Sequence, residues 1–219
     1  QLFKCSILEL DQEKVVVRLR SSQFNDQLFR KYERWNLEHD LLDSSFTGMH
    51  RNLFAFARSP KRAQQLLLGL EPPGAPSPDE VEVPPGLTSE QAGIFCRMLQ
   101  SRDYFLLWGP PGTGKTSIML KHLVGYLFDQ TGEEILLLAY TNRAVDEICE
   151  AIEAYRPEMH QAYLRIGSRY ATDSRFADRL LDVSVDKVSN RQELLDLLAR
   201  HRIFVGTVAS VSSKPELLK

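Results

Sequence analysis

Gly109-Pro110-Pro111-Gly112-Thr113-Gly114-Lys115-Thr116 is a complete G-x-x-x-x-G-K-T loop, and it constrains this fold more than any other stretch. The glycines let the backbone wrap a string of anionic oxygens with several N–H groups pointing inward. Lys115 would reach the β- and γ-phosphates of ATP, and the Thr116 hydroxyl would take a place on Mg²⁺. Gly109, Pro110, Pro111, Gly112, Thr113 and Gly114 would supply the rest of the nucleotide cradle. Such a loop belongs between a strand and a helix, so that phosphate faces a helix N-terminus. The flanks predict both. Asp103-Tyr104-Phe105-Leu106-Leu107-Trp108 is an apolar run of strand length, while Ile118, Leu120, Leu123, Val124, Leu127 and Phe128 recur at helical spacing. A plain Gly/Pro turn between strand and helix is the competing reading.

At 219 residues the chain fits one large domain, or one domain with a smaller companion. A net charge of −2 creates no whole-molecule field that would gather nucleic acid, so any such binding must be local. No apolar run approaches the ~20 residues of a membrane span, and no signal peptide stands at the start. Cys5, Cys96 and Cys149 are isolated and odd in number, which favours small core residues in a reducing, intracellular setting, cytoplasmic or nuclear. The chain opens at Gln1 within a strand-like run and stops at Lys219 soon after another, so it reads as a segment cut from a longer protein. His39, His50, His122, His160 and His201 show no metal-ligand spacing and are expected at the surface. Basic residues at 58–62 and 165–175 read as solvated faces.

Two β-like runs, Leu2–Leu10 and Val15–Arg20, flank the polar turn Asp11-Gln12-Glu13 and predict a hairpin. Residues 46–70 predict a helical stretch with Met49, Leu53, Phe56, Ala63, Leu66 and Leu67 as its apolar stripe, broken at Pro60. The Pro-rich stretch 72–86 reads as a stiff, extended linker. It separates an accessory region, 1–71, from the main domain, 87–219. Beyond it helices and strands alternate, with apolar strands at 135–140, 162–166 and 203–208. That pattern predicts an α/β fold: a parallel sheet with helices on both faces, binding ligands at the carboxyl ends of its strands.

Further residues fall at those ends. Leu87-Thr88-Ser89-Glu90-Gln91 opens a helix, with Thr88 or Ser89 as its cap. Gln91 carries the donor and acceptor that suit the N6/N7 edge of adenine, or is a surface glutamine. Thr141 and Asn142 cap the next helix or offer donors to a phosphodiester backbone. Val145-Asp146-Glu147 is similar to the end of a Walker B strand, yet Ala144, Val145, Ile148, Cys149 and Ile152 place it on an amphipathic helix. Thr207 and Ser210 suit phosphates or a turn.

In order, these pieces resemble the start of a superfamily 1 helicase motor, in the branch of the nonsense-mediated-decay RNA helicase and the Okazaki-fragment nuclease-helicase. The resemblance rests on the 87–91 glutamine motif, the 109–116 loop, Thr141-Asn142-Arg143-Ala144-Val145-Asp146, Arg165-Ile166-Gly167 and Gly206-Thr207. It implies a RecA-like domain, Gln91 as adenine reader, and Thr141, Asn142 and Thr207 as contacts to single-stranded DNA or RNA. Trp35–Asp40 and Met49–Leu53 resemble, more loosely, the passage from a small β-barrel to a helical stalk. The resemblance implies a monomeric ATP-dependent helicase that works 5′–3′. No Asp-Glu-Ala-type sequence follows Thr207, so the 219 residues alone are expected to bind nucleotide without turning it over briskly. The alternatives are another P-loop NTPase, such as an AAA-type ATPase or a nucleotide kinase, and a nucleic-acid-binding module with a structural P-loop.

Overall fold

The structure, a computed structural model, describes residues 3–38 and 43–214, with side chains from 48 onward in the second stretch. Leu2, His39 and Asp40 lie outside the described residues, as does the side chain of Phe46. The chain divides into two units, Gln1–Gln64 and Gln65–Lys219.

In the first unit, β1 (Cys5–Leu10) and β2 (Val15–Leu19) pair antiparallel, with a register shift between Ile7 and Glu9. The turn closes because Asp11 accepts the backbone N–H groups of Glu13 and Lys14 at 2.8 and 2.7 Å. These are the strands among the described residues of this unit, and they form a two-stranded hairpin rather than a closed barrel. After the short helix α1 (Gln27–Lys31), Phe3, Phe29 and Trp35 gather into a ring cluster with centroids 5.2–5.9 Å apart. Helix α2 (Asp43–Ala57) and helix α3 (Lys61–Leu67) are separated at Pro60, as its fixed φ and missing N–H require. Gln64 then caps the end of α2, its Nε2 donating to the carbonyls of Phe56, Ala57 and Ser59. Of the expected stripe, Phe56, Ala63 and Leu66 are half-buried, whereas Met49, Leu53 and Leu67 are exposed.

In the second unit, residues 72–86 form neither helix nor strand, and they lie against helix α4 (Ser89–Gln100). Ser77 donates its N–H to the Gln100 carbonyl at 2.8 Å, and Gln100 donates its side-chain amide to Asp79 O at 3.0 Å. The sheet is parallel, in the order β3 (Ile135–Ala139), β5 (Ile203–Thr207), β4 (Tyr163–Ile166). Helices α5 (Lys121–Gln130) and α6 (Asn142–Glu153) cover one face, where Val124, Val145, Ile148, Cys149 and Ile152 meet Ile135, Tyr163, Ile203 and Val205. The other face packs Leu164, Ile166 and Phe204 against α7 (Leu181–Val185), α8 (Arg191–Arg200) and α9 (Val208–Ser212). No helix among the described residues is long and apolar enough to cross a membrane.

Three expectations need correction. Residues 104–108, expected as the strand that feeds the loop, pair with no strand among the described residues, and Leu106 and Trp108 are 83% and 95% exposed. An extended segment becomes a strand only through ladder bonds to a neighbour, and β3, β4 and β5 pair with one another. Asp103 also turns the chain just before this segment, with φ 55°. The cysteines divide: Cys149 is buried and Cys5 and Cys96 only half-buried. Burial pushes the Cys149 thiol up to about 12, so it packs as an inert apolar group.

His160 corrects the expectation of surface histidines. It is half-buried, with Nδ1 2.7 Å from Glu153 Oε1 and Nε2 3.0 Å from Asp178 Oδ2, while Tyr163 donates to the same Glu153 oxygen at 2.7 Å. The set ties the end of α6 to β4. Its bond to Glu153 holds the imidazole above its ordinary 6.5 against partial burial, with Asp178 acting in the same sense. Tyr163 is also raised, chiefly by burial.

Two outcomes follow for unfolding in urea. Ile203→Ala, at a fully buried position of β5, should lower stability by about 2–5 kcal/mol, whereas Leu136→Ala, 41% exposed on β3, should lower it by less than about 1. A histidine raised in the folded state stabilises fully below its unfolded value, and the gain fades as pH rises through the folded one. The advantage of the native chain over His160→Gln should therefore be greatest between about pH 5 and 6 and shrink toward about pH 8. Stability curves of the two proteins across that range check this, and an advantage that grows with pH contradicts it.

Candidate functional site

The loop 109–116 is wound by its glycines. Gly112 and Gly114 take φ of 81° and 79°, a region that L side chains rarely adopt. Gly109 has a different reason to lack a side chain: a Cβ there would fall 2.9 Å from Thr113 Oγ1. Thr113 closes the turn by donating to Pro110 O at 2.9 Å. Lys115 curls over the same turn, its Nζ donating to the carbonyls of Gly109 and Pro110, the latter at 2.7 Å. The loop runs directly into a helix whose first turns are wide: Met119 N–H reaches back five residues to Gly114 O at 2.9 Å. Lys115 and Thr116 are the first two residues of that helix, whose first N–H groups have no partner within the helix itself.

Gln91 is part of a reciprocal cap. Thr88 Oγ1 accepts Gln91 N–H at 3.2 Å, and Gln91 Oε1 accepts Thr88 N–H at 3.0 Å. One lone pair of Oε1 and both Nε2 hydrogens lie outside that pair of bonds.

The carboxyl ends of the strands carry the remaining candidates. Thr141 is exposed and caps α6, accepting Ala144 N–H at 3.2 Å; Asn142 is the first residue of that helix. Thr207 is only 6% exposed and caps α9, accepting Ser210 N–H at 3.0 Å and donating to Ser210 Oγ at 2.8 Å. Capping therefore engages both threonine hydroxyls. Asp146 and Glu147 lie on α6, as their spacing indicates, and Glu147 pairs with Arg143 at 3.6 Å.

Sequence reading missed the role of Arg165. It is not on a solvated face but fully buried, donating to Asp146 Oδ1 at 2.7 Å and to Thr172 Oγ1 at 2.5 Å. The signal was present in Arg165-Ile166-Gly167. A Cβ on Gly167 would fall 2.8 Å from Arg165 Nη1, so the glycine makes room for the guanidinium. Tyr140, 91% exposed at the end of β3, was also passed over. Among the described residues no cluster of His, Cys, Asp or Glu has the grouping of a metal site, and no Asp or Glu directly follows β3, β4 or β5. Thr116 offers a hydroxyl of the hard-oxygen kind that suits Mg²⁺, whose remaining ligands are commonly phosphate and water.

A glycine-wound loop entering a helix beside a parallel sheet defines a P-loop α/β domain of RecA-like type. Residues 86–212 match the family model described as an AAA domain. The chain is 33% identical over 146 residues to the "DNA replication ATP-dependent helicase/nuclease JHS1" of Arabidopsis thaliana, a match covering 62% of this chain and 10% of that protein. It is 27% identical over 169 residues to the "Uncharacterized ATP-dependent helicase MJ0104" of Methanocaldococcus jannaschii, covering 75% and 25%. To the "DNA replication ATP-dependent helicase/nuclease DNA2" of Gallus gallus it is 32% identical over 132 residues, covering 60% and 12%. The matched region thus spans between a tenth and a quarter of these relatives' length. The chain belongs to this AAA-domain family and is similar to the DNA2-like helicases named above.

Proposed function

We propose that this chain is the nucleotide-binding portion of an ATP-driven helicase motor, holding ATP with Mg²⁺ on the 109–116 loop and single-stranded DNA or RNA across the carboxyl ends of its strands. The observation that carries this reading is the loop itself, with two left-handed glycines and Lys115 at the mouth of a helix. Bound phosphate would take the Lys115 ammonium in exchange for the carbonyls of Gly109 and Pro110, and Thr116 would face the Mg²⁺. Gln91 would read adenine with its remaining donor and acceptor capacity while Thr88 holds it in place. Thr141 and Asn142 are the candidate contacts to the nucleic-acid backbone, through the first N–H groups of α6 as well as their side chains. Thr207 would contribute chiefly by fixing the start of α9. The parent would work as a 5′–3′ motor within the cell, in the nucleus or cytoplasm, and as a monomer.

Lys115→Ala should abolish the rise in Tm that ATP–Mg²⁺ produces in the native chain. An undiminished rise would place the nucleotide elsewhere. Gln91→Ala should lose about tenfold in preference for ATP over GTP, equivalent to a hydrogen bond of about 1.4 kcal/mol, with GTP affinity unchanged. Titrations with both nucleotides check it, and equal binding of ATP and GTP by the native chain would sink the assignment. Phosphate release by the 219 residues should stay near background with or without single-stranded DNA or RNA. The described residues place no Asp or Glu directly after β3, β4 or β5, where P-loop enzymes carry the carboxylate that helps hold Mg²⁺. Brisk release that nucleic acid stimulates and Lys115→Ala abolishes would overturn this.

A further inference from the structure

The Arg165 cluster poses an energetic question that stability does not answer. Its guanidinium lies fully buried in the layer between β4 and α6, with Tyr163 on the same strand face. Burying an ion pair in such a layer gains little over apolar side chains of similar volume, because the desolvation penalty offsets the attraction. What the guanidinium supplies is a rigid fork whose arms reach different elements.

One arm donates to Asp146 on the second turn of α6, five residues after Thr141. The other donates to Thr172, whose hydroxyl donates in turn to Ser168 O at 2.8 Å, and Ser168 accepts Tyr170 N–H at 3.4 Å. Gly167 leaves the space through which that second arm passes. The sheet order gives the arrangement its consequence. Strands β3 and β4 are separated by β5, so no ladder bond sets the segment leaving β3 against the segment leaving β4. Arg165 bridges that gap, from β4 to the helix that follows β3.

We infer that the Arg165–Asp146–Thr172 fork is a positioning device that locks the start of α6 and the 168–172 turn into one rigid surface for single-stranded nucleic acid. Its functional side rests on the binding reading given above. Ser168, Arg169 and Tyr170 are exposed on the turn, as Thr141 is on the helix start. The fork sets the spacing between the two sets of groups, and Arg165 itself touches no ligand.

The test compares the full chain with Arg165→Met/Asp146→Leu, which replaces the pair by apolar groups, and with Thr172→Val, which cuts only the arm to the turn. Three quantities are read: Tm, amide hydrogen exchange, and affinity for a single-stranded oligonucleotide, with ATP affinity as the control. The double variant should keep or raise its Tm and its ATP affinity. Exchange at 168–172 should accelerate about tenfold while β5 stays protected, and oligonucleotide affinity should fall about tenfold. Unchanged exchange at 168–172 in a folded double variant overturns the proposal. If that variant does not fold, Thr172→Val decides by the same exchange measurement. Loosening of the turn in a chain whose native form binds no oligonucleotide would uphold the fork and refute the nucleic-acid reading. Loosening without loss of affinity in a native chain that does bind would overturn the functional side.

Discussion

Burial of β5 on both faces is the constraint on which the second unit depends. Ile203 and Val205 face α5 and α6, Phe204 faces the layer of α7, α8 and α9, and β3 and β4 occupy the two edges. A central parallel strand requires crossover connections, and those crossovers are the helices that cover the faces. Because all three strands run the same way, the segments that leave them emerge at a single end of the sheet. Helix starts at Thr141 and Thr207 are therefore collected on one side of the unit. The site is a product of strand direction before it is a product of any side chain.

At the helix starts polar side chains mostly serve the backbone. Thr88, Thr141 and Thr207 each accept an N–H from the first turn of a helix, and Lys115 is held by carbonyls of its own loop. Helix starts and tight turns leave backbone groups without intrahelical partners, and short polar side chains are the nearest remedy. Groups that satisfy these ends also hold the loops in shape. Capping and ligand binding thus draw on the same residue types, which is why local chemistry left both readings open at Gln91, Thr141 and Thr207.

Arg165 follows another logic. A buried cation is costly unless its donors find partners; Asp146 and Thr172 take the two terminal nitrogens from separate elements, while Nε is buried without one among the described residues. At the opposite end of α6, His160, Glu153, Asp178 and Tyr163 form a second polar cluster. The helix is apolar along the middle of its buried face and fastened by charge near its start and its end. That pattern fixes both its height above the sheet and its register along it.

The resemblance carried by five short motifs placed the chain in the right family, and the α/β alternation, the hairpin, the break at Pro60 and strands β3 to β5 were legible from spacing and sterics. These are short-range properties: a left-handed glycine, a missing proline N–H or a 3.6-residue stripe acts within a few residues. Tertiary structure decided the rest. Residues 104–108 have the composition of a strand, yet a strand needs a neighbour, and the order β3-β5-β4 leaves them without one among the described residues. Arg165 has the composition of a solvated face, yet Gly167, Asp146 and Thr172 turn it inward. His160 has no ligand-like spacing, yet folding brings Glu153 and Asp178 to its two nitrogens. In each case the partner that settles the outcome is close in space and distant along the chain, where local pattern carries no information about it.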